Sequence, residues 1–481
     1  MPFNSLEFFL FFITVLLLYY SLPHRWQNRM LLAASYFFYG WWDWRFLCLI
    51  LISTSTDFFC SLQMDRHRND ESKWRFLALS IIVNITILCF FKYWNFFTEN
   101  LADVLSLLGL QTSMHTLSVI LPVGISFYTF KTISYSVDVY RGEIEPAHNF
   151  LDYALFVAFF PQLVAGPIER AKNLLPQIAG ERRFNSRQFG EGLQLIFWGL
   201  FKKVFVADNL GLMVDQIYGN PQASGTEYII ATWAFAFQIY GDFSGYSDMA
   251  RGLSKCMGFE IMQNFRQPYV ATSPSDFWRR WHISLSTWLR DYLYIPFGGN
   301  KKGQAKTYRN LMLTMLLAGL WHGAAWNFVF WGGYHGLLLV VQRLVKAERK
   351  PEKDVNTSLL SQMIRAFIMF QLVCIGWIFF RAQSLDHILS IMGKVIHLSA
   401  PNAGMRIMIG KVCLFSCIPF VVMAIERIHQ IRPLCFERKG FRNFLTFSRQ
   451  PIYLKSFIYG VMTYLVCLYG VAAKNFIYMQ F

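Results

Sequence analysis

Two histidines in this chain stand where an imidazole could do chemistry. His282 lies in Arg279-Arg280-Trp281-His282-Ile283-Ser284, and His322 in Gly319-Leu320-Trp321-His322-Gly323-Ala324-Ala325-Trp326-Asn327. A neutral imidazole can take the proton of a hydroxyl as its oxygen attacks an acyl carbonyl, which is general-base catalysis. A thioester donor suits this arrangement, because a thiolate leaves without a strong acid. No competing nucleophile motif is present. Ser244-Gly245-Tyr246-Ser247-Asp248 lacks the spacing of a nucleophile elbow, and there is no P-loop, no HExxH and no acidic cluster of the glycosidase kind. The structural alternative for His322 is a helix-packing histidine bonded to a neighbouring carbonyl. Gly323 and the pair Gly332-Gly333 favour the functional reading, since they allow another backbone or a ligand to approach closely. His335, beyond those glycines, reads as a residue that holds a hairpin together.

The elements that must position these side chains are membrane helices. Hydrophobic residues make up 54% of the 481 and charged residues only 15%, where soluble domains carry about 25% charged residues. Apolar stretches fall near 6–22, 30–60, 74–93, 117–139, 150–166, 190–207, 228–249, 310–342, 362–380, 405–424 and 456–473. The first lacks the basic flank and cleavage site of a signal peptide and reads as a mature helix. The runs 30–60 and 310–342 exceed one span of about 20 residues, so each predicts a hairpin. The run 150–166 contains Pro161, ends at Gly166-Pro167 and has cytosolic flanks by charge parity. It predicts a re-entrant loop, allowed only where surrounding protein satisfies its backbone. The expected fold is all-α, a polytopic transmembrane helical bundle of about 11 to 13 membrane segments. One domain covers 1–481, with a core near 117–345, a tail at 474–481 and both ends outside. The nine cysteines form no CxxC pair; they read as packing residues, with no metal site.

The formal charge of +16 is unevenly placed. Segment 251–309 holds ten Lys/Arg against three acids and 427–455 holds seven against one, whereas 95–117 and 208–227 hold no Lys/Arg. This is the positive-inside pattern, so the basic loops face the cytosol and the charge needs no nucleic-acid partner. From Arg309 to His322 is 13 residues, about 20 Å of helix, which sets His322 inside a hydrocarbon layer about 30 Å thick. An ionisable group at that depth is a functional-site candidate. The stretch 271–299 has no long apolar run. Ser273 or Ser275 can cap a helix there, and Phe277, Trp281, Ser284 or Leu285, and Trp288 then share one face of an amphipathic helix, at the cytosolic boundary or buried partly within the bundle. Arg279, Arg280, Lys301, Lys302 and Lys306 are candidates to hold the phosphates of a cytosolic donor.

The run Phe277-Trp278-Arg279-Arg280-Trp281-His282-Ile283-Ser284-Leu285-Ser286-Thr287-Trp288-Leu289-Arg290-Asp291-Tyr292-Leu293-Tyr294-Ile295-Pro296, followed by Gly319-Leu320-Trp321-His322-Gly323, resembles the membrane-bound O-acyltransferase family. More narrowly it resembles the bacterial alginate O-acetylation branch, related to peptidoglycan O-acetyltransferases and teichoic-acid D-alanyl transfer proteins. Phe38-Tyr39-Gly40-Trp41-Trp42-Asp43-Trp44-Arg45-Phe46, Leu121-Pro122-Val123-Gly124-Ile125-Ser126-Phe127-Tyr128, Pro161-Gln162-Leu163-Val164-Ala165-Gly166-Pro167-Ile168 and Gly245-Tyr246-Ser247-Asp248-Met249-Ala250 match as well. The resemblance runs from near residue 5 to about 345 and returns at 476–481; the stretch 346–455 matches loosely. It implies a bundle around a central funnel met from both membrane faces, with His322 as the principal catalytic residue and His282 lining the same channel. Trp321, Asn327, Trp288, Asp291, Arg279 and Arg280 are the substrate-contacting residues expected beside them. It further implies acetyl-CoA as a donor substrate rather than a bound cofactor. A periplasmic or surface O-acetyltransferase partner, a polysaccharide acceptor and a place in the lipid bilayer of the bacterial inner membrane follow. The D-alanyl branch would instead use an acylated carrier protein.

The tail Phe476-Ile477-Tyr478-Met479-Gln480-Phe481 has two readings. One is an aromatic anchor at the interface. The other has the tail fold back into the channel and present the Tyr478 hydroxyl to His322, with Gln480 and Phe481 as recognition elements. A phenol has a pKa near 10, so its acetyl ester stays activated enough to pass on. Two readings from other classes are a transporter or channel, which broken helices and a buried histidine also suit, and a scaffold for an exopolysaccharide complex.

Overall fold

A computed structural model describes residues 1–67, 69–110, 120–164, 166–348, 358–400, 402–431, 452–471 and 476. Among these residues the regular structure is entirely helical. The first helices are α1 (Leu6–Ser21), α2 (His24–Asp43), α3 (Leu47–Arg66), α4 (Asp70–Leu88), α5 (Trp94–Leu107) and α6 (Ile125–Tyr140). Next come the short α7 (Phe150–Ala158), α8 (Phe160–Leu163) and α9 (Ala171–Ala179), then α10 (Ser186–Phe201), α11 (Asn209–Tyr218) and α12 (Gly225–Cys256). The chain continues through α13 (Pro274–Trp278), α14 (Ile283–Leu289), α15 (Gln304–His322), α16 (Trp326–Glu348), α17 (Leu359–Arg381) and α18 (Leu385–Ile396). It closes with α19 (Ala403–Ile431) and α20 (Ile452–Tyr469).

Among the described residues, five stretches are long and apolar enough to cross a membrane: His24–Arg66, Asp70–Leu107, Trp326–Val345, Leu359–Arg381 and Ala403–Ile425. Leu6–Ser21 and Tyr453–Tyr469 are shorter apolar helices. The remaining expected segments are harder to see by composition because they carry charge into the interior, as α6 does with buried Lys131 and Asp138. Outward-facing side chains are large and apolar, Leu17 at 71% and Phe457 at 68% exposure among them, a surface that lipid covers. Five of the eight described cysteines are on that exposed surface rather than in the core, where an apolar solvent accepts them equally well.

The central pillar is α12, 32 residues long and started by a capping box between Ser224 and Glu227. It packs against α10 through small residues: a Cβ on Gly199 would lie 2.5 Å from the Gly245 carbonyl, and one on Gly192 2.7 Å from that of Gly252. Such backbone-to-backbone approach is how helices associate where lipid removes the hydrophobic drive between them. A π-helical turn at Lys202–Asp208 follows α10. From it, buried Lys203 reaches Asp208 and Asp242, each at 2.8 Å.

The expected hairpin over 310–342 is α15 and α16. Gly332 faces Met315 and Gly319, and Gly336 faces Met312, a pairing that runs antiparallel. The run 30–60 is α2 and α3, each 20 residues long, separated where Asp43 leaves helical geometry at φ −160°, ψ 112°. The run 150–166 is broken at Phe159 into α7 and α8, both largely buried. Its backbone is satisfied as a re-entrant segment requires: Lys131 Nζ donates to the Phe156 carbonyl at 2.5 Å, and the Phe160 N–H donates to Ser35 Oγ at 3.2 Å.

The stretch 271–299 corrects the expectation of one amphipathic helix. Ser273 does cap a helix, accepting from the Asp276 N–H, but α13 ends at Trp278. The backbone turns left-handed at His282, with φ 44°, before α14 begins. The cause is tertiary. Residues 264–266 run beside 280–283, with Arg266 N–H donating to the Arg280 carbonyl and Ile283 N–H to that of Asn264, each at 2.9 Å. Phe277, Trp281, Leu285 and Trp288 are all buried nonetheless, held from two short helices rather than one face.

Candidate active site

His322 is the last residue of α15 and is 3% exposed. The helix stops because Gly323 is extended, at φ −163°, ψ 149°, and a Cβ there would lie 2.1 Å from the Phe328 ring. The imidazole stands in an aromatic collar. Ring centroids lie 5.0 Å away for Trp321, 4.9 Å for Trp331 and 5.4 Å for Phe380. His282 joins them, its centroid 6.5 Å from that of His322.

The orientation of His282 is set by Asn264. Asn264 Oδ1 accepts from the Ser284 N–H at 3.1 Å and from Ser284 Oγ at 2.9 Å, which identifies that atom as the oxygen. It lies 3.2 Å from His282 Nδ1, so Nδ1 carries the proton and Nε2 presents its lone pair. Nε2 is buried with no hydrogen-bond partner among the described residues. A buried acceptor left unpaired is costly, which fits an atom that meets substrate or water in the working protein.

Two cavities line up along α15. One, of about 450 Å³, is lined by Arg279, Arg290 and Arg343 with Trp278, Thr314 and Met315, on the side of the basic 251–309 segment. The other, of about 50 Å³, is lined by Lys92, Gly124, Ser126, Phe127, Trp321 and His322. Met315 and Trp321 are six residues apart, about 9 Å along the helix. The smaller cavity lies beside the Lys92 turn, beyond which α5 continues for 14 residues, about 21 Å of helix. Gly124 borders it with φ 76°, and a Cβ there would lie 2.2 Å from the Leu163 carbonyl. This explains the glycine of Leu121-Pro122-Val123-Gly124: it seats the start of α6 against the re-entrant segment. A third space of about 510 Å³, lined by Phe237, Phe367, Phe370 and Phe420 among others, touches none of the candidate residues.

The sequence candidates divide on this geometry. Trp321 lines the smaller cavity and touches His282 at 5.9 Å. Arg279 lines the larger one and is exposed, whereas Arg280 is spent on Asp276 at 2.7 Å. Lys301, Lys302 and Lys306 are exposed and line neither cavity. Trp288 is a packing residue: its ring stacks on Phe130 at 3.7 Å and its N–H donates to the Phe130 carbonyl at 2.9 Å. Asn327 donates to the Ala382 carbonyl at 3.0 Å. Asp291 pairs with Arg290 at 2.7 Å and Arg170 at 3.4 Å, away from both histidines. Its hydrogen bond holds the Arg290 guanidinium above its ordinary pKa. Tyr478, Gln480 and Phe481 lie outside the described residues. Phe476 is described and is 1% exposed, its ring 4.4 Å from Tyr246 and 5.8 Å from Phe243, which in turn touches His282 at 4.7 Å. An interfacial anchor would be exposed, so at Phe476 the anchor reading fails.

Asn264, Trp331, Arg343 and Lys92 are brought to the site without having been legible as candidates. Lys92 alone carried a signal, as a lysine inside the apolar run 74–93.

The bundle carries membrane-length apolar helices and the buried histidines His282 and His322, of which His322 lines a cavity at the end of α15; such a bundle is that of a membrane protein with a buried polar site. Residues 71–381 match the model of MBOAT, the membrane-bound O-acyltransferase family, and the chain belongs to that family. It is 43% identical over 388 residues to the "Probable alginate O-acetylase AlgI" of Azotobacter vinelandii, the match covering 80% of this chain and 76% of that protein. It is 36% identical over 398 residues to the "Peptidoglycan O-acetyltransferase" of Helicobacter pylori, covering 77% of this chain and 73% of that one. Similarity to the "Teichoic acid D-alanyltransferase" of Bacillus subtilis is 26% over 288 residues, 55% of this chain and 70% of the relative. The chain is thus a multi-pass membrane O-acetyltransferase.

Proposed function

We propose that the protein takes acetyl from acetyl-CoA at the cytosolic face and delivers it to a hydroxyl outside the bacterial inner membrane, with His322 as general base. The observation that carries this reading is that α15 lines both cavities, with His322 at its end in the smaller one. The larger cavity offers Arg279 and Arg343 to the phosphates of the donor, and the thioester extends past Trp278 toward His322. As the acceptor oxygen attacks, its proton passes to the imidazole, the C–O bond forms and the C–S bond breaks. The imidazolium returns that proton to the departing thiolate, which leaves toward the basic face as the thiol and restores the neutral base.

The first acceptor in this reading is the phenol of Tyr478. Burial of Phe476 beside Phe243 and Tyr246 supports it, since two extended residues reach about 7 Å and Phe243 already touches His282. A periplasmic or surface O-acetyltransferase would collect the acetyl group from the phenol ester. The final acceptor is then a polysaccharide hydroxyl, alginate-like by the closeness of the acetylase relatives. Mass spectrometry of protein incubated with acetyl-CoA and quenched in acid tests this, with acetyl on Tyr478 as the expected result. Unmodified Tyr478 in protein that turns over acetyl-CoA would remove the relay from the account.

A further inference from the structure

Between α4 and α5 the chain makes a π-helical turn, Cys89–Tyr93. Isolated π-turns inside helices re-aim side chains and are frequent at functional sites. Here the turn directs two successive residues at the end of α15. Tyr93 Oη donates to the Leu320 carbonyl at 2.9 Å, and Lys92 Nζ donates to the carbonyls of Trp321 at 2.7 Å and His322 at 3.2 Å. A third N–H of the ammonium reaches Ser126 Oγ at 3.3 Å.

The last carbonyls of a helix have no partner within it, and away from water each one left unmet is expensive. Three successive carbonyls, those of residues 320, 321 and 322, are covered by two successive side chains from another helix. We propose that Lys92 is the positioning residue of the acyl transfer, locking the end of α15 so that His322 meets the reacting hydroxyl. This rests on the reading of His322 as the base.

The geometry separates positioning from direct contact. An ammonium has three N–H groups and all three are engaged, so none remains for substrate. No carboxylate lies within ion-pair distance of Lys92 among the described residues. The charge instead faces the negative end of the α15 dipole, and the backbone it holds is that of the imidazole-bearing residue. A neutral side chain of equal length would fill the space and leave the carbonyls unheld. Arginine carries its donors in a planar fork on a longer stem and does not reproduce a compact ammonium.

The test uses the full chain in detergent, reading thiol release from acetyl-CoA. Lys92→Met is expected to lower kcat by about 100-fold, the scale of a misplacement near 1 Å, with the KM for acetyl-CoA within about twofold. Lys92→Cys is expected to be equally slow. Aminoethylation with 2-bromoethylamine, which rebuilds an ammonium at the same reach, should restore most of the rate, whereas a neutral propyl thiol adduct should not. Treated wild-type protein controls for the native cysteines.

A kcat for Lys92→Met within about threefold of wild type would overturn the proposal. So would equal recovery by the neutral adduct, which would make Lys92 a space-filling residue. If Lys92→Met fails to fold, the two adducts of Lys92→Cys decide. Loss of folding by Lys92→Cys as well would make the lysine a folding element and contradict the proposal. An active His322→Ala would instead remove the reading on which this one rests, so the two failures are distinguishable.

Discussion

His282 and His322 are 40 residues apart in the chain, yet their ring centroids lie 6.5 Å from one another, the planes tilted by 60°. They are held by different means: His282 by the side chain of Asn264 on a left-handed backbone, His322 by the end of a helix.

That pinning gives the first prediction. Asn264→Ala removes the oxygen that fixes the His282 tautomer while leaving both histidines in place. The acetyl-transfer rate should fall by about 10- to 100-fold, the effect typical of an outer partner that orients a working imidazole. Asn264→Asp should retain more activity than Asn264→Ala, because it keeps an acceptor at Nδ1. Equal rates for the two variants, measured on folded protein, would mean that Nδ1 needs no partner.

The two arginines of Arg279-Arg280 should separate. Arg279 lines the larger cavity on α15, whereas Arg280 is paired with Asp276 at 2.7 Å. Arg279→Gln should raise the KM for acetyl-CoA about tenfold, as loss of a charge-assisted contact worth 1.5–3 kcal/mol suggests. Arg280→Gln should leave KM within about twofold and lower thermal stability instead. Titrating the donor against both variants checks it.

Much of this arrangement is legible in the residues. Gly323 and Gly332 announce the close approach of α15 and α16, although Gly333 beside them meets only the end of Leu316, and the Trp321-His322 pair at the end of an apolar run marks the site. The break at His282 is not legible. Helical periodicity continues through Trp281, Ser284 and Trp288, and only the pairing of residues 264–266 with 280–283 interrupts it. Asn264 is hidden for the same reason, since its partner is 18 residues away on a different element. Lys92 escapes because a lysine near the end of an apolar run reads as an interfacial charge until α5 is seen to continue beyond it.

The glycine contacts give a stability prediction. A Cβ on Gly332 would lie 2.2 Å from the Met315 carbonyl, while one on Gly333 would come no closer than 3.5 Å to the flexible end of Leu316. Gly332→Ala should therefore destabilise the protein by about 1–3 kcal/mol through overpacking, and Gly333→Ala should be near neutral. Thermal unfolding of the two variants in the same detergent would show the difference, and equal midpoints would contradict the crossing as described.

Tyr478→Phe keeps the ring and removes the oxygen. Cells carrying this variant should insert the protein normally and lose O-acetylation of the external polymer. Full polymer acetylation would leave the tail with no role in the transfer.

The central claim is that His322 is the base, and the most direct measurement is the turnover of purified His322→Ala and His322→Gln with acetyl-CoA. Each should fold and insert like the wild type and lose about 100-fold or more in kcat, the contribution of a positioned general base. A folded His322→Ala that transfers acetyl at near the wild-type rate would contradict it.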